Sequence, residues 1–279
     1  MAIGVLSCVG YHIKPQIFIV FIAIVIVECM DWKSKKISAA FLRRGGILYA
    51  LAGIILITLL YNTFMHNITE QLDSEKKFGI THYAMMGLNS VNNGSYLSED
   101  VLFSDSFPTI SERTAANMDV IGQRLQDMGV SGLGVHLARK LLTNFGDGTF
   151  AWKNEGEFFK GIYEQKNSVL SPLLRNIIWG SGKMNILSET VRQGVWICVL
   201  AASLGLFGYK KTMNNTLLVT TWSIVGLILF ELLFEARARY LYIYVPFFII
   251  TGVLGIKKII NMGIRVSCDI QQKLKKTGQ

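Results

Sequence analysis

The sequence predicts an all-α integral membrane protein with about five transmembrane helices and a largely helical extracytoplasmic domain between the second and third. Three observations carry the prediction. First, 51% of the 279 residues are hydrophobic and only 17% are charged, where a soluble domain carries roughly 25% charged residues. Second, the apolar residues come in blocks: Ile17–Val27, Ile47–Leu60, Val195–Phe207, Leu217–Phe234 and Leu241–Ile256. A spanning helix needs roughly 17–25 mostly apolar residues, and flanking Tyr, Trp, Thr and Gly extend the shorter blocks into the interfaces. The competing reading is a set of buried helices in a soluble protein. Third, the charge is placed asymmetrically.

The net charge of +9 is concentrated in three short segments. Lys33, Lys35, Lys36, Arg43 and Arg44 follow the first span, and Lys210 and Lys211 follow the third. Lys257, Lys258, Arg265, Lys273, Lys275 and Lys276 follow the fifth. The long segment 62–190 is mildly acidic, with 11 basic and 14 acidic residues. Five alternating spans put every basic segment on one face, as the positive-inside rule requires. The chain then divides into 1–61 (the end of a preceding helix and two spans joined by a basic link), an extracytoplasmic domain 62–190, three spans in 191–256 and a basic cytoplasmic tail 257–279. The basic residues therefore imply anionic lipid as neighbour, and no nucleic acid.

At the N-terminus, "MAIGVLSCVG" lacks a basic n-region and reads as a helix end, not a signal peptide. "YHIKPQ" turns the chain, which puts His12 and Lys14 on the outer face. This start is expected of the C-terminal part of a longer protein, or of an internal methionine. Segment 62–190 is too long for a structureless connection. "PTISERTAANMDVIGQRLQDMG" predicts a helix opened at Thr109 or Ser111 and stopped by Gly129, with apolar residues at three- and four-residue spacing. A second helix across "GVHLARKLLTNFGDG" stops at Gly146. "EGEFFKGIY" and "SPLLRNIIWG" predict shorter helices, the latter with Trp179 at the interface. "NSVNNGSYLSEDVLFSDS" is turn-rich and expected to be irregular.

Motifs for chemistry are sparse. "GVSGLGVH" lacks the dinucleotide-binding spacing and reads as a turn between helices. His66, His82 and His136 have no metal-ligand spacing. Cys8, Cys29, Cys198 and Cys268 match no zinc or disulfide framework. Asn67-Ile-Thr and Asn93-Gly-Ser fit the glycosylation pattern, which is common by chance. No Ser/His/Asp or Cys/His arrangement stands out. No cofactor is evident, and a divalent metal stays open.

The unusual stretch is "ELLFEARARYLYIYVP", residues 231–246, the tight outer link between the fourth and fifth spans. Glu231, Glu235 and Arg239 recur every four residues, so a continuous helix would put them on one face, with Arg237 off it. Tyr240, Tyr242 and Tyr244 stand at interface depth. Chemistry leaves two readings open: a self-neutralising cluster with an aromatic belt, or arginines gripping a lipid phosphate. Ionisable groups at this depth are costly enough to suggest function.

An outer-face "E…RY…P" leading into a late span, together with "YHIKPQIFIVFIAI", resembles the GT-C class of lipid-linked glycosyltransferases. The nearest likeness is to glycosyltransferase family 39, protein O-mannosyltransferases and aminoarabinose-transferase-like enzymes. "THYAMMGLNSVNNGSYLSEDV" and "GDGTFAW" resemble the outer domain of Gram-positive members of that group. The resemblance implies transfer of a sugar from a polyprenyl-phosphate carrier to a cell-envelope acceptor at the outer face. The expected partners are a lipid-linked sugar donor, membrane lipids and that acceptor. It carries a phosphate-holding role to Lys14, Arg237 and Arg239, with Tyr240 beside them. The sequence departs from the family in lacking the first outer loop, whose acid deprotonates the acceptor or helps to bind metal. Glu99, Asp100 and Asp105 belong to the later domain and match no catalytic motif, so the catalytic base is unassigned. The alternative function is a non-catalytic membrane subunit or lipid-binding interaction protein. A transporter is disfavoured, because no Gly/Pro-broken span pair and no repeat is visible.

Overall fold

The computed structural model describes residues 1–33, 45–69, 73–151, 170–178, 183–206 and 214–277. Among these residues the secondary structure is helical, with no strand. The helices are α1 (Ala2–Ile13), α2 (Phe18–Lys33), α3 (Gly46–Thr69), α4 (Ile80–Gly87), α5 (Ser98–Asp105), α6 (Ile110–Phe145), α7 (Leu170–Ile178), α8 (Asn185–Leu204), α9 (Asn215–Leu233) and α10 (Val245–Thr277). Short 3₁₀ turns cover Pro15–Ile17, Ser74–Lys76 and Ala238–Tyr244. The predicted helix over "EGEFFKGIY", Trp179, and the basic residues Lys35, Lys36, Arg43, Arg44, Lys210 and Lys211 lie outside the described residues.

Three segments are long and apolar enough to cross a membrane: Gly46–His66, Asn215–Leu233 and Ala238–Ile264. They coincide with the second, fourth and fifth predicted spans. The first predicted span falls in a shorter apolar stretch, Pro15–Met30. The third falls in the C-terminal half of α8, whose first half, "NILSETVRQ", is polar. Hydroxyls in these helices bond back to carbonyls one turn earlier: Thr58 to Ile54 O, Thr220 to Thr216 O and Thr221 to Leu217 O. Each polar group is thereby satisfied without water.

The chain forms two compact units. The first comprises Met1–Gly146 with Trp222–Leu241. Its α1 lies close against α3, because Gly4 lets the Ala50 backbone approach where a Cβ would collide with the Ala50 carbonyl. Small residues at such crossings let helix backbones touch. Pro15 separates α1 from α2. The residue before a proline is pushed to extended backbone, and Lys14 adopts φ −151°, ψ 114°.

Thr109 opens α6 through a reciprocal capping box with Glu112, and the Gly146 N–H closes it on Leu142 O. Both predicted helices are present, but the turn between them is a single residue. Gly129 alone leaves helical geometry (φ 57°, ψ −175°), and the glycines of "GVSGLGVH" beyond it are helical. The expected irregular stretch 89–106 is half corrected: Ser98–Asp105 is helix α5. Its polar sequence gives no apolar stripe, and tertiary bonds hold it instead. Asp100 is buried and pairs with Arg124 at 2.6 Å and Asn89 at 3.0 Å. Buried Arg113 donates to the carbonyls of Ser104, Glu75, Lys77 and Phe107 at 2.7–2.9 Å.

The second unit comprises Asp147–Thr221 with Tyr242–Gln279. The boundary falls inside segment 62–190. Here α8 packs on α10 through Gly205 and Gly255, while Ser203 donates to Phe248 O at 3.0 Å and accepts from Thr251 at 3.0 Å. Trp196 is buried edge-on between Phe150 (5.0 Å) and Phe248 (5.3 Å).

Candidate functional site

The four candidate phosphate ligands lie in the first unit, and the fold gathers them. Helix α9 ends at Leu233, and residues 234–237 form an open loop before the 3₁₀ turn begins at Ala238. The condition for Glu231, Glu235 and Arg239 to share one face, a helix continuing through Arg239, is not met. Because the helix stops, the four-residue register is lost. The ion pair to Glu235 is made by Arg237, at 3.6 Å, the residue the helical reading placed off the face.

Tyr240 is the centre of the cluster. The Lys14 ammonium stands 4.8 Å above its ring, and the Arg239 guanidinium 5.7 Å away. Its hydroxyl donates to Glu235 Oε2 at 3.4 Å. Arg237 stacks over Tyr96 at 6.0 Å. Lys14 reaches the cluster from the corner that the Lys14–Pro15 sequence makes, 226 positions before Tyr240. The result is three cations around two aromatic faces, beside one buried carboxylate. Lys14, Arg237, Arg239 and Tyr240 are each partly exposed. Such a set fits a planar or tetrahedral oxyanion, since arginine offers paired donors and lysine a mobile point charge. Lys14 and Arg239 share the Tyr240 ring, and Arg237 takes the Tyr96 ring.

Sequence reasoning missed the layer beneath. Lys140 on α6 is 0% exposed. Its ammonium donates to Gly87 O at 2.8 Å, Leu232 O at 2.9 Å and Phe234 O at 2.6 Å. Burial pushes its pKa down to about 8, against an opposing effect from Glu231. His136, one turn earlier, also lies 2.9 Å from Gly87 O. Glu231 is fully buried at the end of α9, and among the described residues neither of its carboxylate oxygens makes a hydrogen bond of good geometry. Lys140, Lys14 and Glu235 act on it electrostatically, and the Arg237 N–H faces it. The one sequence signal was negative: a lysine inside an otherwise amphipathic stretch, "LARKLL".

Other candidates are accounted for structurally. His82 Nδ1 lies 2.8 Å from Ser104 Oγ, which donates to Asn117 at 2.9 Å, with Asp100 acting on the ring through its charge. This Ser/His/Asp neighbourhood is buried, and Asp100 is held by Arg124, so it is a packing network. Burial lowers the His82 pKa. Glu99 and Asp105 are exposed on α5, and His66 is exposed on α3. Among the described residues no group of three or more His, Cys, Asp or Glu is placed to hold a metal. In the second unit, Asp147, Thr149, Glu189 and Gln193 line an open cavity of about 650 Å³. The Asp147 carboxylate there is engaged by Thr149 and Ala151 of its own turn.

The model of a family of conserved hypothetical integral membrane proteins matches residues 1–260. The chain belongs to that family. The match takes in α1 to α9, the arginine loop and the first half of α10. This integral membrane protein therefore carries its cation cluster at the end of one apolar span, Asn215–Leu233, and the start of the next, Ala238–Ile264. No curated protein and no solved structure matches the chain.

Proposed function

We propose that this protein binds the phosphate of a polyprenyl-phosphate sugar carrier at the outer face of the cell membrane and takes part in transfer of that sugar to a cell-envelope acceptor. Lys14, Arg237, Arg239 and Tyr240 form the phosphate site, and the basic segments face the cytoplasm. The observation that carries the reading is the arrival of Lys14 over the Tyr240 ring, beside Arg239. A merely self-neutralising loop would need no third cation from the far end of the chain. The membrane-edge position suits a lipid whose headgroup, and not its chain, is recognised.

The second reading, a non-catalytic lipid-binding subunit, is favoured by the carboxylates. Glu231 and Glu235 are buried, while the exposed Glu99 and Asp105 stand on α5. No acid is thus presented openly beside the cations among the described residues. The test is equilibrium binding in detergent micelles doped with polyprenyl phosphate, polyprenyl alcohol or inorganic phosphate. Binding of the lipid phosphate alone, lost in Arg237→Ala/Arg239→Ala, supports the site. Equal retention of the alcohol sinks it. Binding of free phosphate would show an anion site without lipid specificity. Loss of envelope sugar in cells expressing the double variant separates transfer from binding alone.

A further inference from the structure

We propose that Lys140 is a positioning residue that locks the loop 234–240 to the helical segment 80–145 and so sets where Arg237, Arg239 and Tyr240 stand; its functional part rests on the phosphate reading above. The last carbonyls of a helix have no partner within it, and a cation there also answers the helix dipole. At the end of α9, Lys140 supplies both. An ammonium has three protons, and all three are used: on Gly87 O at the end of α4, on Leu232 O and on Phe234 O at the end of α9. The charge thus joins two helix ends.

Two glycines make the junction possible. At Gly87 a Cβ would lie 2.6 Å from Phe234 O, so only glycine admits the loop backbone this closely. Gly94 has φ 76°, and a Cβ there would stand 2.5 Å from Gly87 O and 2.8 Å from Lys140 Cε. The Gly94 carbonyl accepts the Ala236 N–H at 2.7 Å. Phe234 and Ala236, the two residues pinned by this junction, stand three positions and one position before Arg237. An apolar contact would bury the same surface, but it would not fix the direction of three carbonyls. A fully buried lysine is costly to keep; here its bonds define the register of the loop that bears the arginines.

The test uses the full chain in detergent micelles, titrated with polyprenyl phosphate, with both the dissociation constant and the bound stoichiometry read. A merely destabilised protein binds less ligand at unchanged affinity. A displaced arginine loop binds at full stoichiometry with weaker affinity. Lys140→Met is expected to raise the dissociation constant about tenfold, the equivalent of one charge-assisted hydrogen bond. Gly94→Ala is expected to do the same without removing any charge, and stands in if Lys140→Met fails to fold. Thr109→Ala, at the capped end of α6, keeps the parent affinity. Hydrogen exchange on the ligand-free protein gives an independent readout: both junction variants lose protection at 234–240 and keep it at 98–117. If both variants retain parent affinity and parent protection, the proposal is overturned. If the parent fails to distinguish polyprenyl phosphate from polyprenyl alcohol, the phosphate reading falls. The exchange pattern then decides the junction: loss confined to 234–240 upholds it, and unchanged protection ends it.

Discussion

Raising the pH should stabilise this protein relative to a variant without Lys140. Burial holds the Lys140 pKa at about 8, whereas in the unfolded chain it takes the ordinary value of 10.5. Between those two values the unfolded chain binds more protons than the folded one, so stability rises with pH. Below pH 8 both states are protonated and the cost of the buried charge is fully present. The interval of about 2.5 pH units, at about 1.36 kcal/mol each, gives a gain of about 3 kcal/mol by pH 10.5. The neutral amine keeps two donors for three carbonyls, so the junction weakens without opening. Glu231 opposes the effect of burial, and His136 shares the Gly87 carbonyl. The assay is denaturant unfolding in mild detergent from pH 7.5 to 10.5, comparing the parent with Lys140→Met. The stability difference between them should shift by about 3 kcal/mol in favour of the parent. A difference that stays flat across that window would refute the reasoning, because it would mean that the ammonium is as well solvated as in water.

Other outcomes follow from the same geometry. Arg113→Met leaves four backbone carbonyls without their donor and should cost about 3–5 kcal/mol, the range for stranding a buried polar network, read by unfolding with loss of exchange protection around residues 75–107. Gly255→Val forces a side chain into the Ala202 carbonyl in the second unit; a loss of at least about 2 kcal/mol is expected, and parent stability would mean that α8 and α10 do not meet there. The His82 pKa is lowered by burial, so the unfolded chain takes up the proton first; stability should fall as pH drops below about 6.5. His82→Gln should flatten that fall, and an unchanged acid limb would assign it to other groups.

The second, fourth and fifth spans were legible because long apolar runs have few other uses, and the ends of α6 were legible because Thr109 and Gly146 carry local start and stop chemistry, whereas Gly129 only interrupts the helix. Helix α5 was not legible: its stability comes from Asp100 meeting Arg124 and Asn89, which periodicity cannot show. The arginine loop was legible as an unusual cluster of charge but not as a shape. Four-residue spacing predicts a helical face only while the helix lasts, and α9 ends at Leu233, where Lys140 takes the Leu232 and Phe234 carbonyls. That partner lies 91 positions away from Glu231, on a helix whose pattern gave no hint of burial. Lys14 was legible as a corner residue because Pro15 ends the preceding helix, and the structure added its neighbour, the Tyr240 ring.

The central claim is that Lys14, Arg237, Arg239 and Tyr240 act together on one lipid phosphate. Its most direct measurement is the salt dependence of polyprenyl-phosphate binding for the parent, Lys14→Ala, Arg237→Ala and Arg239→Ala in the same micelles. Each substitution is expected to weaken binding about tenfold and to make the salt dependence shallower, because a cation has left the phosphate. Parent affinity and parent salt dependence in all three variants would contradict it, and would leave the cluster a membrane-edge anchor.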